Sequence, residues 1–344
     1  MAGVVTLREC TDLTGAAWDA RVREHPAATI FHRSCWHDVL DEVRPGRTVR
    51  FEVELDGQPI GHWCGFLMRR FGVKVFGSPL PGSATDYMYP LLTAPVPAGA
   101  ILEGVERWAR RRGVAHLEIG GECFAASDFA ARGYGAYQTR SYRVDLSGGE
   151  AAVWKALKPA MRNKVRKAEK LGVTVSEDTA PDFPPRFFAL LQDVFHRQNS
   201  VPTYDLRLIA AIVKTLGAAG HLRTLTAWHE GKMLSSMILL VDERAAYFWG
   251  GASYASAYPF GANDLIHWDA LKWCTARGLT TYDTCGGGDY KEKFGGTLHY
   301  FPAGYLALNP LFGIVRSAVR HGVRARQRLL GGWHKLRPAR LSPE

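Results

Sequence analysis

Two stretches decide how the chain is organised: Trp108-Ala-Arg-Arg-Arg-Gly113-Val-Ala-His-Leu117-Glu118 and Trp273-Cys-Thr-Ala-Arg-Gly278-Leu-Thr-Thr-Tyr282-Asp283. Each reads as a helix stopped by glycine, then a strand ending in an acid. Upstream, Asp56-Gly57 and Glu230-Gly231 are matching hairpin turns between apolar runs, and Phe76-Gly77 matches Trp249-Gly250. The offsets between these pairs are 165, 174 and 173 residues, as expected of one duplicated unit with small insertions. Within each unit the order is three strands, a helix and two strands, with helices before it. The fold class is therefore α/β with mixed sheets, in two similar domains, 1–147 and 148–309, followed by a tail, 310–344.

Working outward from Asp283, the chain continues Thr284-Cys-Gly-Gly-Gly-Asp-Tyr290-Lys291-Glu-Lys293-Phe294-Gly-Gly296. This is a glycine-rich turn that brings backbone N–H groups close to a ligand, followed by two lysines suited to an anion or to proton transfer. A glycine-rich loop with solvated lysines is the alternative. Asp283 and Asp289 are candidate proton acceptors, and capping of turn N–H groups accounts for either equally well. Cys285 in the same loop is a candidate nucleophile or a buried thiol. The six cysteines show no Cys-x-x-Cys pair, so neither a disulfide framework nor a zinc site is expected, and no metal is assigned.

The net charge of +10 is concentrated in two places. Residues 155–170 carry seven basic side chains and one acid, and residues 306–344 carry eight and one. Between Trp154 and Ala168 the apolar positions fall at helical spacing, with Pro159 in the first turn and Gly172 at the end. Arg162, Lys164, Arg166 and Lys167 lie on the same basic stretch. In the tail, Pro310 to Leu330 reads as an amphipathic helix with Arg316, Arg320, Arg324 and Arg328 in one row. Two basic elements point to a polyanion, nucleic acid or a phosphate-bearing ligand; two solvated helix faces are the alternative. No apolar run reaches the roughly 18–20 residues of a membrane span, and Met1 to Cys10 does not read as a signal peptide, so a cytoplasmic location is expected. Near the N-terminus, Phe31 to Leu40 reads as a loop entering a helix that Ser34 can cap.

Three local motifs resemble the Fem (FemABX) family of aminoacyl-tRNA-dependent transferases, built on a tandem GNAT-like acyltransferase fold. They are Phe31-His-Arg-Ser-Cys-Trp36, the stretch Met161-Arg162-Asn-Lys-Val-Arg166-Lys167-Ala-Glu-Lys-Leu-Gly172-Val173, and Tyr290-Lys291-Glu-Lys-Phe294-Gly-Gly296. Tyr290 stands where the family has Phe, and the family's long coiled-coil insertion is absent. The resemblance implies transfer of an aminoacyl group from charged tRNA to an amine of a small-molecule, peptide or cell-wall precursor. It implies Lys291 as the catalytic residue and Tyr290 and Phe294 as pocket walls. Trp36, Trp249 and Tyr254 are further substrate-side candidates, and the arginines and lysines above would grip the tRNA. The acyl-coenzyme A signature of the wider superfamily is not evident between Ala252 and Asn263. An acyl-CoA or carrier-protein thioester donor is the alternative, and a non-enzymatic module binding RNA or an anionic membrane is a third reading.

Overall fold

The computed structural model describes residues 3–70, 72–202 and 204–309. In chain order the strands are β1 (Val5–Glu9), β2 (Gly46–Leu55), β3 (Gln58–Arg70), β4 (Val73–Ser78), β5 (Leu91–Leu92), β6 (Val114–Gly120), β7 (Gly135–Asp145), β8 (Thr174–Glu177), β9 (Leu222–His229), β10 (Lys232–Val241), β11 (Ala245–Ser253), β12 (Thr281–Asp283) and β13 (Thr297–Ala307). The helices are α1 (Gly15–Arg23), α2 (Ser34–Val43), α3 (Ala98–Arg111), α4 (Ala126–Ala131), α5 (Gly149–Ala156), α6 (Pro159–Lys170), α7 (Phe183–Arg197), α8 (Leu206–Ala218) and α9 (Ala262–Ala276). The basic helix expected in the tail, with Arg316, Arg320 and Arg324, lies outside the described residues.

The duplication is visible turn by turn. Asp56 and Gly57 both adopt positive φ between β2 and β3, and Glu230 and Gly231 do the same between β9 and β10. That backbone is the one a two-residue hairpin requires to follow the twist of its strands. The helix-to-strand repeats become α3–β6 and α9–β12, which run parallel to β4 and β11 respectively.

The thirteen strands among the described residues form one sheet, ordered β1-β2-β3-β4-β6-β13-β7-β12-β11-β10-β9-β8, with β5 on β3. The two central strands are exchanged. β7, from the first half of the chain, pairs with β12, whereas β13, from the second, pairs with β6. They meet each other along the middle of the sheet, from Thr297–Arg143 to Tyr305–Gly135. Each half of the sheet is thus completed by the other half's last strand.

On one face, α1, α2, α7 and α8 share a core that crosses the centre, including Trp18, Trp36, Leu40, Phe187 and Ile212. On the other, α3 covers the first half through Val105 and Trp108, and α6 and α9 cover the second through Val165, Ile266 and Leu271. The apolar stripe from Trp154 to Ala168 spans two helices rather than one. The chain breaks at Leu157–Lys158, because Lys158 precedes Pro159 and is held extended at ψ 143°. Ser34 also departs from expectation: it lies inside α2 and donates to Asp19 at 2.6 Å, while the N-cap position is Arg33.

Candidate active site

β11 and β12 pair only from Ala245–Thr281 to Tyr247–Asp283. Beyond that, β11 runs on to Ser253 while the other chain turns away into the glycine-rich loop. The gap is filled by a short 3-10 helix, Asp289–Phe294. Phe294 is fully buried, its ring 4.1 Å from that of His267, so it anchors the segment in the core rather than lining a substrate pocket. Gly295 follows at φ 78°, where a Cβ would sit 2.4 Å from the Ala156 carbonyl oxygen. The Phe-Gly-Gly element is thus a docking point on the α5–α6 junction.

That anchoring buries Lys291, which is 8% exposed. Its Nζ donates to the carbonyl oxygens of Thr284 at 2.6 Å and Cys285 at 3.2 Å. The ring of Phe248 lies 5.2 Å from the ammonium and that of Tyr290 5.8 Å. Burial pulls the ammonium below the ordinary lysine value, while Cys285, Asp86 and Asp283 act in the opposite direction. Two carbonyl acceptors favour the charged form, and an ammonium has a third N–H to offer a ligand oxygen.

Asp283 is not a free base. It is buried and accepts from the hydroxyls of Tyr87 at 2.8 Å and Ser141 at 2.6 Å, Arg143 Nε at 3.0 Å and the Cys285 N–H at 2.8 Å. Such a carboxylate is saturated by donors. Asp289 is at the opposite extreme, its side chain 91% exposed and paired with Arg140 at 3.2 Å. The loop N–H groups are committed too: those of Thr284, Cys285 and Gly286 bond to Tyr142, Asp283 and Ser141.

The group sequence reasoning missed is Asp86. Burial, and next the neighbouring Asp283 carboxylate, push its carboxyl up to about 6, with the Cys285 thiol and Lys291 opposing. Its signal was weak: an acid after the Pro79–Ser83 turn, 205 residues from Lys291 in the chain. The Cys285 thiol is driven well above its ordinary value by burial and then by Asp86 and Asp283, so it is not a thiolate nucleophile.

Two cavities flank this centre. One, of about 330 Å³, opens over β6, β13 and β7 and reaches Asp86 and Gly286. The other, of about 440 Å³, lies between β11 and the start of α9 and reaches Phe248, Tyr290, Lys164 and Lys293. Lys291 lines neither, but its neighbours do: Gly286 lines the first, and Phe248 and Tyr290 line the second. Tyr290 is 54% exposed at the mouth of the second cavity. The remaining candidates fall elsewhere. Trp36 is fully buried with its indole N–H on Thr85, and Trp249 is buried with its own on the Ala84 carbonyl, so both support the Asp86 loop from behind. Tyr254 is half-buried against the shared core. Arg162 donates to the carbonyls of Leu157 at 2.6 Å and Lys155 at 2.9 Å, closing the end of α5 rather than meeting a polyanion. Lys164, Arg166 and Lys167 are exposed on α6, Arg166 lying over Trp154 at 5.4 Å. Among the described residues no group of side chains suits a metal ion, and no helix is long and apolar enough to cross a membrane.

The family profile of the acetyltransferase (GNAT) domain matches residues 156–294, which contain Lys291 and the second cavity. Among solved structures, FemX superposes with a TM-score of 0.68 at 15% identity, over 88% of this chain and 98% of that one. The C-terminal domain of a putative lysylphosphatidylglycerol synthetase from Agrobacterium fabrum gives 0.53 at 13% identity, over 85% and 92%. A tandem GNAT protein from the clavulanic acid biosynthesis pathway gives 0.50 at 12%, over 88% and 97%. No curated protein matches the sequence. At these identities the likenesses speak for the fold. The chain has a tandem GNAT fold with the architecture of FemX, and residues 156–294 of its second half match the acetyltransferase (GNAT) domain model.

Proposed function

We propose that the protein transfers an aminoacyl group from aminoacyl-tRNA to an amine, forming an amide bond. The observation that carries this reading is Lys291, a buried ammonium held by the carbonyls of Thr284 and Cys285, next to Gly286 of the first cavity and to Phe248 and Tyr290 of the second. The esterified 3′ end enters the cavity beside β11 and α9, where Lys164 supplies positive charge and Tyr290 an aromatic wall. The amine occupies the cavity beside Asp86. Its nitrogen attacks the ester carbonyl, the new C–N bond forms and the C–O bond to ribose breaks. Lys291 stabilises the oxyanion and protonates the departing ribose oxygen; Asp86 takes the proton lost by the amine. Such a preorganised cation contributes on the order of 10²–10³ in rate.

A thioester donor is favoured by the GNAT match itself. Against it stands the start of α9, where Asp264 in the first turn pairs with Lys293 at 2.7 Å. A carboxylate there competes with the pyrophosphate that a helix N-terminus would otherwise attract. Incubation with mixed radiolabelled aminoacyl-tRNAs and candidate amines distinguishes the donors. Consumption of a charged tRNA that disappears in Lys291→Ala supports the ester reading. Consumption of acetyl-coenzyme A instead, with tRNA untouched, overturns it.

A further inference from the structure

The cavity between β11 and α9 carries two exposed tyrosines at its rim, Tyr258 at 64% and Tyr290 at 54%. Tyr258 is held in place despite its exposure. Arg197, at the end of α7, lies 5.5 Å from the centre of the ring and donates to the hydroxyl at 2.6 Å. The same guanidinium donates to the Ser253 carbonyl at 2.6 Å and to the Asp193 carboxylate at 2.9 Å. A tethered ring that faces solvent loses little freedom when a ligand stacks on it. Cations stand beside Tyr290 as well, Lys291 at 5.8 Å and Lys293 at 6.0 Å. Walls of this kind repel a cationic ligand and suit an uncharged aromatic one. Two amides complete the lining. Gln198, which follows α7, and Asn263, in the first turn of α9, border the same cavity. Neither side chain is committed to a hydrogen bond among the described residues. Lys164 of α6 is exposed beside them, whereas Lys293 is paired with Asp264 at 2.7 Å.

We propose that this cavity binds an adenine nucleotide, with its base stacked at the Tyr258–Tyr290 rim, its edge read by Gln198 and Asn263, and its phosphate met by Lys164. Stacking on tyrosine serves any base. The amides supply the choice. A carboxamide offers a donor and an acceptor side by side, which complements the amino group and ring nitrogen of adenine; guanine presents two acceptors there. A volume of about 440 Å³ is in the range that holds a ligand of nucleotide size. Tyr290 precedes Lys291 in the chain, so a base on its ring brings the ribose hydroxyls toward the buried ammonium. That the adenine is the 3′-terminal one of a tRNA rests on the acyl-transfer reading. Coenzyme A carries the same base, and the test separates the two sources.

The test is binding by calorimetry at low salt, with no acceptor present. Adenosine and guanosine 5′-monophosphates read the base; the ribotrinucleotide CCA and coenzyme A separate the sources. The adenine nucleotide is expected to bind about tenfold more tightly than the guanine one, as one amide–base contact provides. Tyr258→Ala is expected to weaken it about tenfold, the loss of one stack. Gln198→Ala combined with Asn263→Ala is expected to bring the two nucleotides within about twofold of each other. CCA tighter than coenzyme A assigns the adenine to an RNA end. Coenzyme A tighter than CCA supports the adenine site equally and counts against the tRNA donor, so the two readings fail separately. The proposal is overturned if the two nucleotides bind alike, if neither binds, or if the variants bind them as the parent does. Should a variant fail to fold, the order of the two nucleotides on the unmodified protein decides the matter.

Discussion

The hydroxyl of Tyr87 donates to the Asp283 carboxylate at 2.8 Å, joining two loops separated by 196 residues of chain. Tyr87 follows Asp86, and Asp283 precedes the carbonyls that hold Lys291, so this one contact sets the spacing between the two proposed catalytic groups. Arg143, itself paired with Glu122 at 2.6 Å, completes the junction from the exchanged strand β7. Asp283→Asn leaves the half-buried Arg143 with Glu122 as its remaining carboxylate and is expected to cost about 2 kcal/mol. Tyr87→Phe removes one hydrogen bond and is expected to cost about 1 kcal/mol. Denaturant titration reads both, and a fully stable Asp283→Asn would show that the junction does not depend on this charge.

Lys291→Met removes the cation and keeps much of the side-chain volume. The turnover number is expected to fall by about 10²–10³ with little change in KM, because the lost interaction is made in the transition state. Folding is expected to persist, since burial already disfavours this charge. Steady-state kinetics on the folded variant checks the split.

The pH dependence has opposite signs for activity and stability. Asp86 must be ionised to accept a proton, so kcat/KM is expected to rise with pH through about 6. Its folded pKa lies above the ordinary aspartate value of 3.8. The stabilising contribution is therefore fully present below that value and lost as pH rises through about 6. Asp86→Asn should be more stable than the parent at pH 8, by on the order of 2 kcal/mol, and equal to it at pH 3.5. It should also lack the rising limb of activity. Asp242, whose carboxyl burial also pushes up, is common to both proteins and cancels in the comparison. Thermal melts across that pH range, paired with rate profiles, test both signs.

The basic stretch on α6 divides into two roles. Arg162→Ala removes the donor that holds the end of α5 and is expected to cost about 2 kcal/mol while leaving the salt dependence of tRNA binding unchanged. Replacing Lys164 and Lys167 together by Gln should leave stability unchanged and reduce the log–log salt slope of tRNA binding by roughly 1.5. Filter binding at several salt concentrations separates them; an unaltered slope in the double variant would remove α6 from the tRNA path.

Cys285→Ala is expected to retain activity within a few fold and to leave the rate insensitive to iodoacetamide. A thiol held protonated by burial and two carboxylates does not attack an ester. A collapse of activity with intact folding would return Cys285 to the mechanism.

The elements themselves were legible in the chain. Period-2 runs flanking Asp56-Gly57 and Glu230-Gly231 specify hairpins, and glycines after Arg112 and Arg277 end helices, because these preferences are local and steric. The repeat of those signals was enough to read two α/β units, while Lys291 was singled out by the resemblance of its segment to a family motif. Which strands meet was settled only by packing. β7 and β13 each read as the last strand of its own unit, and nothing in their residues marks that they change places. Partner choice depends on contacts between residues far apart in sequence. The same holds for the site. Asp283 and Asp289 read alike as acids in one loop, yet one is enclosed by four donors and the other stands in solvent. Asp86 acquires its raised pKa only when the Trp36- and Trp249-backed loop is buried in the fold beside the Asp283 carboxylate. Residue type and spacing thus determined most of the secondary structure and the duplication, and the family resemblance pointed to Lys291. Burial and long-range charge, which exist only in the folded chain, decided which carboxyl stands opposite that lysine.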